Sequence, residues 1–249
     1  MRSYAIGDIH GQLGLLLAAH ERIAADTARH GAAPVIHVGD LVDRGPDSRG
    51  VIEFLRDGLA RGEDWVVLKG NHDRMFTGFL ADPWARDPGL RSELTWLHPR
   101  LGGGATLASY GVANAADRPV GPVHAEALAA VPETHRAFLD ALPLLHRAGD
   151  AVFVHAGIRP GVALDAQDEN DLLWIREPFL SDPADHGPLI IHGHTALDAP
   201  THYGNRVNID SSAGYGGPLT AIAVEGREIF VLTGDGRVPL LPDPAARIR

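Results

Sequence analysis

The segment YAIGDIHG, residues 4–11, joins a short apolar run to a cluster of glycine and polar residues. The same arrangement recurs in PVIHVGDLVDRG, residues 34–45, and in WVVLKGNHD, residues 65–73. Segments with helical spacing separate these strand-like runs, so the first third of the chain predicts βαβ units. Ligands of open α/β sheets bind beyond the carboxyl ends of the strands. The three polar clusters therefore predict a functional site at one edge of a sheet.

The second half of the chain predicts a mainly β layer with two further polar clusters. Its strand signals lie at residues 151–154, 189–191, 207–209, 219–224 and 228–232. Several of these segments are close enough in sequence for antiparallel pairing. Two of these runs end in histidine clusters, VHAG at residues 154–157 and IHGHT at residues 191–195. Residues 76–143, between the halves, carry proline, glycine and tryptophan around helical stretches. We interpret them as a helical insertion and a candidate lid.

The composition limits which functions the chain can have. Its 249 residues can form one α/β domain, so we expect a single domain over residues 1–249. The formal net charge of -10 disfavours broad binding to nucleic acid or to anionic membranes. Because the chain has no cysteine, a bound metal must be held by nitrogen and oxygen ligands. Neither an export segment nor a membrane span is evident, so we expect a cytoplasmic protein.

The polar clusters contain the residue types that bind transition metals. Asp8 and His10 stand two apart, so in strand geometry both side chains project to one face and can hold one ion. Asp40 can add an oxygen and bridge to a second ion. The remaining candidate ligands, one amide and two imidazoles, are Asn71, His155 and His194. Each residue alone is common at a cap or turn, but five successive strand ends together indicate a site for manganese, iron or zinc.

The ordered motifs GDIHG, GDLVDRG, GNHD, HAG and GHT, spread over residues 7–195, resemble the signature of the calcineurin-like metallophosphoesterases. The Asp-Arg-Gly ending of the second motif resembles the bacterial phosphoprotein phosphatase branch of that family. The resemblance implies an α/β fold, an αββα sandwich of two mixed β-sheets flanked by helices. It also implies two divalent metal ions, with manganese favoured over iron or zinc. The implied ligands are Asp8, His10 and Asp40 for the first ion, and Asp40, Asn71, His155 and His194 for the second.

The same resemblance implies a hydrolase that attacks phosphorus directly with a hydroxide bridging the two ions. His72 is the expected general acid, which protonates the leaving group, and Asp43 is expected to orient it and keep it charged. Ala196 stands where many relatives have a further histidine. This difference leaves an open position for water at the first ion, as in the phosphoprotein phosphatases.

Further residues are expected to contact the substrate or to lie near the site. The resemblance implies that Arg44 and Arg176 bind phosphate, since a guanidinium can form paired hydrogen bonds with phosphate oxygens. Asn71 is expected to contact the substrate as well as the metal. His192 is interpreted as a partner of the metal ligands or as a structural residue. Tyr215 stays outside the predicted site, because its spacing differs from that of the substrate-contacting tyrosine in eukaryotic relatives.

Two residues point to different substrates. Asp73 ends the third motif as in the symmetrical diadenosine tetraphosphatases, whereas Asp43 is usually missing from them and favours monoester chemistry. We therefore expect a protein serine/threonine phosphatase that acts on a phosphorylated protein or a small phosphoester. The alternative is a symmetrical dinucleoside tetraphosphate hydrolase. A nuclease is disfavoured by the acidic composition, and a catalytically dead scaffold by the complete set of ligands; the oligomeric state is not predicted.

Overall fold

The structure is a computed structural model that describes residues 2–243. Within this range the chain forms eleven strands and seven α-helices. The strands are β1 (Arg2–Ile6), β2 (Val35–His37), β3 (Trp65–Val67), β4 (Leu145–Ala148), β5 (Ala151–Val154), β6 (Leu189–His192), β7 (Thr201–His202), β8 (Arg206–Asn208), β9 (Ala221–Glu225), β10 (Glu228–Thr233) and β11 (Gly236–Pro239). The helices are α1 (Leu13–His30), α2 (Ser48–Ala60), α3 (Asn71–Ala81), α4 (Gly103–Ser109), α5 (Val120–Ala130), α6 (Glu133–Asp140) and α7 (Glu169–Trp174).

The strands form two mixed β-sheets. The strand order is β11-β10-β9-β1-β2-β3 in the first sheet and β4-β5-β6-β8-β7 in the second. In the first sheet β1, β2 and β3 run parallel, and β9 pairs antiparallel with β1. In the second sheet β5, β6 and β8 run parallel, between the antiparallel edge strands β4 and β7. The predicted α/β sandwich of two mixed sheets flanked by helices is confirmed.

Strand β1 shows how the first sheet joins two cores. Ala5 belongs to a buried apolar cluster that also contains Phe153 and Ile191 of the second sheet. Tyr4 and Ile6 belong instead to the cluster formed with the helices. Side chains of a strand alternate between its two faces, so this sheet is buried on both sides. Burial on both faces explains why the first strands of the sequence are continuous apolar runs.

The expectation of one β layer in the second half is wrong in one respect. The predicted strands at residues 219–224 and 228–232 correspond to β9 and β10, which join the first sheet. Strand β9 pairs with β1 from Ile6↔Ala221 to Arg2↔Glu225, on the side of β1 away from β2. Strands β4, β7 and β11 were not predicted. Two are partly exposed and the third has two residues, so they give no alternating apolar signal.

The predicted insertion at residues 76–143 is helical, but its first helix begins before the predicted boundary. Helix α3 starts at Asn71, inside the third motif, and continues into the insertion. Helices α5 and α6 correspond to the helical stretches predicted from the sequence. Val123 of α5 and Leu139 of α6 are buried in the same apolar cluster as Leu16 of α1. The insertion therefore packs as part of one helical layer.

The main apolar cluster contains residues from Tyr4 to Leu232, so both halves of the chain contribute to it. The expectation of one domain over residues 1–249 stays a prediction, and residues 1 and 244–249 lie outside the described residues. Among the helices of residues 2–243, none combines the length and the apolar character needed to cross a lipid bilayer.

Candidate active site

The six predicted metal ligands converge at one edge of the two sheets. They lie in the loops that follow β1, β2, β5 and β6, and at the start of α3. All of them are buried: Asp8, His10, Asp40, Asn71, His155 and His194. The carboxyl ends of neighbouring parallel strands meet at this edge, which explains how residues from distant parts of the sequence come together.

The backbone of these loops adopts uncommon conformations. The φ angles of His10, Asp40 and His194 are 46°, 50° and 65°, in the left-handed region that non-glycine residues rarely adopt. The expectation that Asp8 and His10 share a face because they continue β1 is therefore wrong, since β1 ends at Ile6. Strained residues of this kind persist where the surrounding structure fixes them, and they cluster at functional sites. Loop geometry, and not strand alternation, places these side chains.

One group of ligand atoms forms around the side chain of Asn71. Its Oδ1 atom lies 2.8 Å from Nε2 of His155 and 2.9 Å from Nδ1 of His194. His155 Nε2 also lies 3.3 Å from Oδ1 of Asp40. These are the four residues assigned to the second ion in the sequence. In the structure their ligand atoms form a series of close contacts, from Asp40 through His155 and Asn71 to His194.

A second group forms around the other oxygen of Asp40. Oδ2 of Asp40 lies 3.3 Å from Nε2 of His10, whereas Oδ1 faces His155. Asp40 thus belongs to two sets of atoms within 4.8 Å of one another, one with His10 and His72 and one with Asp8 and His155. A carboxylate between two sets is suited to bridge two cations. These distances, which have no ion between the atoms, place Asp8 with His155, and the assignment of Asp8 and His10 to one ion stays a prediction.

The imidazoles are held in the form that binds a metal. Nδ1 of His10 lies 2.8 Å from the carbonyl oxygen of Val42, and Nδ1 of His155 lies 3.0 Å from that of Val38. An N–H at each Nδ1 donates these bonds, so that in the neutral ring Nε2 carries the lone pair that can bind a metal. Burial lowers the pKa of His10, of His155 and of His194. A lowered pKa keeps the rings neutral, as metal ligation requires.

The carboxylates also fit a cation. Burial raises the pKa of Asp8, and the neighbouring Asp210 and Asp40 raise it further. Burial also disfavours the charge on Asp40, but the nearby His155, His72, His10 and Arg44 outweigh this and hold its pKa below the ordinary value. Oδ1 of Asp8 is buried without a hydrogen-bond partner, and its Oδ2 accepts a 3.0 Å hydrogen bond from the backbone of His194. An unpartnered buried oxygen beside Asp40 is the environment that a divalent ion would stabilise.

His72 and Asp43 form a buried pair beside these ligands. Nδ1 of His72 donates to Oδ2 of Asp43 over 2.6 Å. Asp43 also accepts from the insertion, at 2.9 Å from the indole N–H of Trp96 and at 2.7 Å from the hydroxyl of Thr106. The sequence identified Asp43 but missed Trp96 and Thr106, which lie 53 and 63 residues further along the chain. The region interpreted as a lid therefore orients the partner of the expected general acid.

Arg44 lies between two histidines and an aromatic ring. Its guanidinium donates to Nε2 of His10, and to Nε2 of His72 at 3.0 Å. The ring of Tyr215 covers it, with 4.6 Å between the guanidinium carbon and the ring centroid. Arg176 lines the same cavity of about 170 Å³, together with Tyr215. The predicted phosphate-binding arginines thus come together, and Tyr215, left out of the predicted site, is part of the cavity wall.

Three other polar residues lie near this centre. Asp73 is fully buried, and its carboxylate accepts from the backbone N–H of Leu41 at 2.9 Å and of Gly70 at 2.8 Å. The ring of His192 packs against that of Phe179, with 5.1 Å between the ring centroids. Burial lowers the pKa of His192 to about 3. Asp210, missed in the sequence, lines the cavity, and burial raises its pKa to about 6. Asp210 follows the end of β8 by two residues, and a carboxylate at that place in the sequence could have indicated a site residue.

Comparisons with known proteins agree with this arrangement. Residues 1–224 match the family model described as calcineurin-like phosphoesterase. The chain is 29% identical over 232 residues to serine/threonine-protein phosphatase 1 of Salmonella typhimurium, covering 89% of this chain and 91% of that relative. It is 24% identical over 268 residues to the asymmetrical bis(5'-nucleosyl)-tetraphosphatase PrpE of Bacillus thuringiensis, covering 98% of each.

A solved structure shows that the fold is shared as well. A cold-active protein tyrosine phosphatase superposes with a TM-score of 0.63 at 18% identity, over 100% of this chain and 80% of that one. Its identity is too low to transfer a substrate, so it supports the fold alone. The family model extends over nearly the whole chain and includes all five motifs. The chain is therefore a hydrolase that belongs to the calcineurin-like phosphoesterase family.

Proposed function

We propose that the chain is a phosphomonoester hydrolase that removes phosphate from serine or threonine side chains of proteins. The observation that carries the proposal is the buried pair of His72 and Asp43, 2.6 Å apart, beside a cavity lined by Arg44 and Arg176. Serine and threonine are poor alkoxide leaving groups, so their release needs a positioned acid. The 29% identical relative from Salmonella, named as a serine/threonine phosphatase, supports the same substrate class.

The donor atoms at the site fit two divalent metal ions. We assign Asp8, His10 and Asp40 to one ion, and Asp40, Asn71, His155 and His194 to the other. Such ions, when bound, make water a stronger nucleophile and neutralise charge on the phosphoryl group. Mixed carboxylate, amide and imidazole donors without thiolate suit manganese, with iron and zinc as alternatives. Binding at His10 requires the Arg44 guanidinium to leave Nε2, which it contacts in this structure.

The residues around the phosphate have separate tasks. Arg44 and Arg176 bind phosphate oxygens through charge-assisted hydrogen bonds, and the amide of Asn71 is placed to contact the substrate. Phosphate draws Arg44 away from Nε2 of His72, which leaves this nitrogen free to carry a proton. Asp43 accepts from Nδ1 and stabilises the charged ring, so His72 can deliver the proton from Nε2 to the leaving oxygen.

A symmetrical dinucleoside tetraphosphate hydrolase remains the alternative. The relative from Bacillus thuringiensis, named as an asymmetrical tetraphosphatase, matches 98% of the chain at 24% identity. Asp73, the motif residue that favours this alternative, does not line the cavity, because its carboxylate is bonded to backbone N–H groups. Any influence of Asp73 on the substrate would therefore act through the position of the loop.

We propose a single-domain enzyme of the cytoplasm that binds neither nucleic acid nor membranes. The net charge of -10 supports the last two points, since it opposes contact with polyanions. A local pair of arginines at the cavity still provides a positive site for one phosphate.

A direct comparison of substrates tests the proposal. We expect the enzyme with manganese to hydrolyse a phosphoserine peptide faster than a phosphotyrosine peptide or diadenosine tetraphosphate. Arg176→Ala should lower kcat/KM on the phosphopeptide by roughly one to two powers of ten, because a hydrogen bond to a charged group contributes about 1.5–3 kcal/mol. The loss should be smaller on the dinucleotide, whose internal phosphates carry less charge. Turnover of the dinucleotide more than about tenfold above every phosphopeptide would favour the alternative.

A further inference from the structure

A second cavity opens from the catalytic one. It has a volume of about 720 Å³ and shares two wall residues, Arg44 and Tyr215, with the cavity that holds the predicted catalytic residues. Its lining includes the apolar Leu97 and Ala116 from the insertion and the charged Arg100. We call this second cavity the insertion groove. A substrate bound to Arg44 by its phosphate can continue into the insertion groove without leaving the protein surface.

The walls of the insertion groove are fixed to the catalytic loop. The backbone N–H of Arg44 donates to the carbonyl oxygen of Gly102 at 3.3 Å. Gly102 has a φ of 88°, and a Cβ atom there would lie 2.4 Å from the backbone nitrogen of Arg44. Gly214 also lines the groove, and a Cβ atom there would lie 2.6 Å from the ring of His10. Both contacts need glycine, so the groove keeps a fixed position relative to the phosphate site.

The charge of the insertion groove is opposite to that of the whole chain. Two arginines, Arg44 and Arg100, line it, and no aspartate or glutamate does. Within residues 2–243, the guanidinium of Arg100 has no ion-pair or hydrogen-bond partner. The chain carries a formal net charge of -10, so surface arginines have many acidic groups available as partners. An unpaired arginine in a groove free of acids is complementary to an anionic group of a ligand.

We infer that the insertion groove binds a second anionic group of the substrate, next to the phosphate that is hydrolysed. The inference rests on the proposed phosphatase function and names its substrate class, phosphoserine or phosphothreonine with an acidic or phosphorylated neighbour. Arg44 binds the scissile phosphate, and Arg100 binds the neighbouring carboxylate or second phosphate. Leu97 and Ala116 contact the intervening peptide. Arg100 is a specificity residue, and Arg44 marks where the two cavities meet.

A set of matched phosphoserine peptides tests the inference. One aspartate is moved through the three positions on each side of the phosphoserine, in an otherwise alanine background, and a second set carries phosphoserine or lysine in its place. We expect kcat/KM to rise roughly twofold to fivefold for an acid on one side, mainly through KM, as is usual for an exposed charge pair. Phosphoserine should raise it more than aspartate, and lysine should lower it. The preference should shrink at high salt.

Charge reversal identifies the residue that causes the preference. Arg100→Glu should invert the ratio of kcat/KM between the aspartate and lysine peptides. Arg91→Glu is the matched control, since Arg91 is exposed in the same segment and lines neither cavity. This control should leave the ratio unchanged. A wild-type ratio within twofold at every position, or a ratio that survives Arg100→Glu, would overturn the inference while leaving the phosphatase proposal intact. Turnover of diadenosine tetraphosphate without turnover of any phosphopeptide would refute both.

Discussion

Two groups of histidines in close contact can be compared within residues 2–243, and one of them has the surroundings of a metal site. In the catalytic cluster, the imidazoles of His10, His155 and His194 face the oxygens of Asp40 and Asn71. The other cluster, called here the aromatic pair, joins His20 to His37 with 3.0 Å between their Nε2 atoms. The rings around this pair are those of Phe54 and Trp65.

The histidines of both groups have a lowered pKa. Burial lowers the pKa of His20 to about 4 and that of His37 to about 3, as it lowers the pKa of the catalytic imidazoles. A depressed pKa therefore does not distinguish the clusters. The catalytic cluster differs because carboxylate and amide oxygens face its nitrogens. In the aromatic pair the two Nε2 atoms face each other, and Nδ1 of His37 donates to the carbonyl oxygen of Val66 at 3.3 Å. Oxygen donors beside neutral imidazole make a metal site.

The largest expected effect on turnover comes from replacing Asp40, whose two oxygens face the two groups of candidate ligand atoms. Asp40→Asn should lower turnover of an aryl phosphate by more than about a hundredfold. Replacing a residue that merely supports a metal ligand already lowers metal affinity or activity roughly 10–100-fold, and Asp40 is a predicted ligand itself. His20→Phe with His37→Phe should leave turnover within about twofold. Steady-state kinetics with manganese present measure both. Comparable losses in the two variants would remove the distinction between the clusters.

A second prediction separates proton transfer from metal binding within the catalytic cluster. His72→Asn should lower kcat by roughly 10²–10⁴ on an alkyl phosphate, the range expected for a general acid. The loss should be smaller on an aryl phosphate, whose leaving group needs no proton.

The metal content of the same variant decides the role of His72. One set of atoms in the structure includes His72 beside His10 and Asp40, so a ligand role is the competing explanation. We expect elemental analysis of purified His72→Asn to show the same metal content as the wild type. Loss of an ion, or equal loss of activity on both substrates, would make His72 a ligand.

The smallest expected effect concerns the stability contributed by the aromatic pair. Both folded-state pKa values lie below the unfolded value of about 6.5, so the unfolded chain binds more protons in the window below it. The free energy of unfolding should therefore fall as pH decreases from about 6.5 to about 4. In the variant with both His20→Phe and His37→Phe, this decrease in the free energy of unfolding should be smaller. Chemical denaturation at a series of pH values measures the difference. Parallel curves for the two proteins would show that the pair does not titrate in this way.

The sequence predicted the candidate site where ligand-type side chains directly follow the end of a strand. Asp8, Asp40 and His155 each follow an apolar run next to glycine or alanine, so their meeting at one sheet edge could be expected from the fold alone. The roles assigned to these residues stay predictions. The contacts of Asp43 with Trp96 and Thr106 could not be expected, because side chains so distant in sequence meet only through helix packing.

Other parts of the structure were missed for different physical reasons. Strands β4 and β11 are partly exposed edge strands, so their residues do not alternate between apolar and polar. The conformation of His10 depends on the loop that holds it, which a pattern of residue types does not describe. Tyr215 is 66% exposed and was excluded on spacing, yet the position of its loop brings it over Arg44. Local patterns predict elements, whereas loop placement depends on the whole fold.

The number of metal ions bound per chain tests the central claim most directly. Purified protein loaded with manganese and freed of excess metal should contain two ions per chain by elemental analysis. Asp40→Asn should lose at least one of them, because its oxygens face both groups of ligand atoms. The double variant of the aromatic pair should keep both. A fully active wild-type enzyme without bound metal, or an Asp40→Asn variant that retains two ions, would contradict the account.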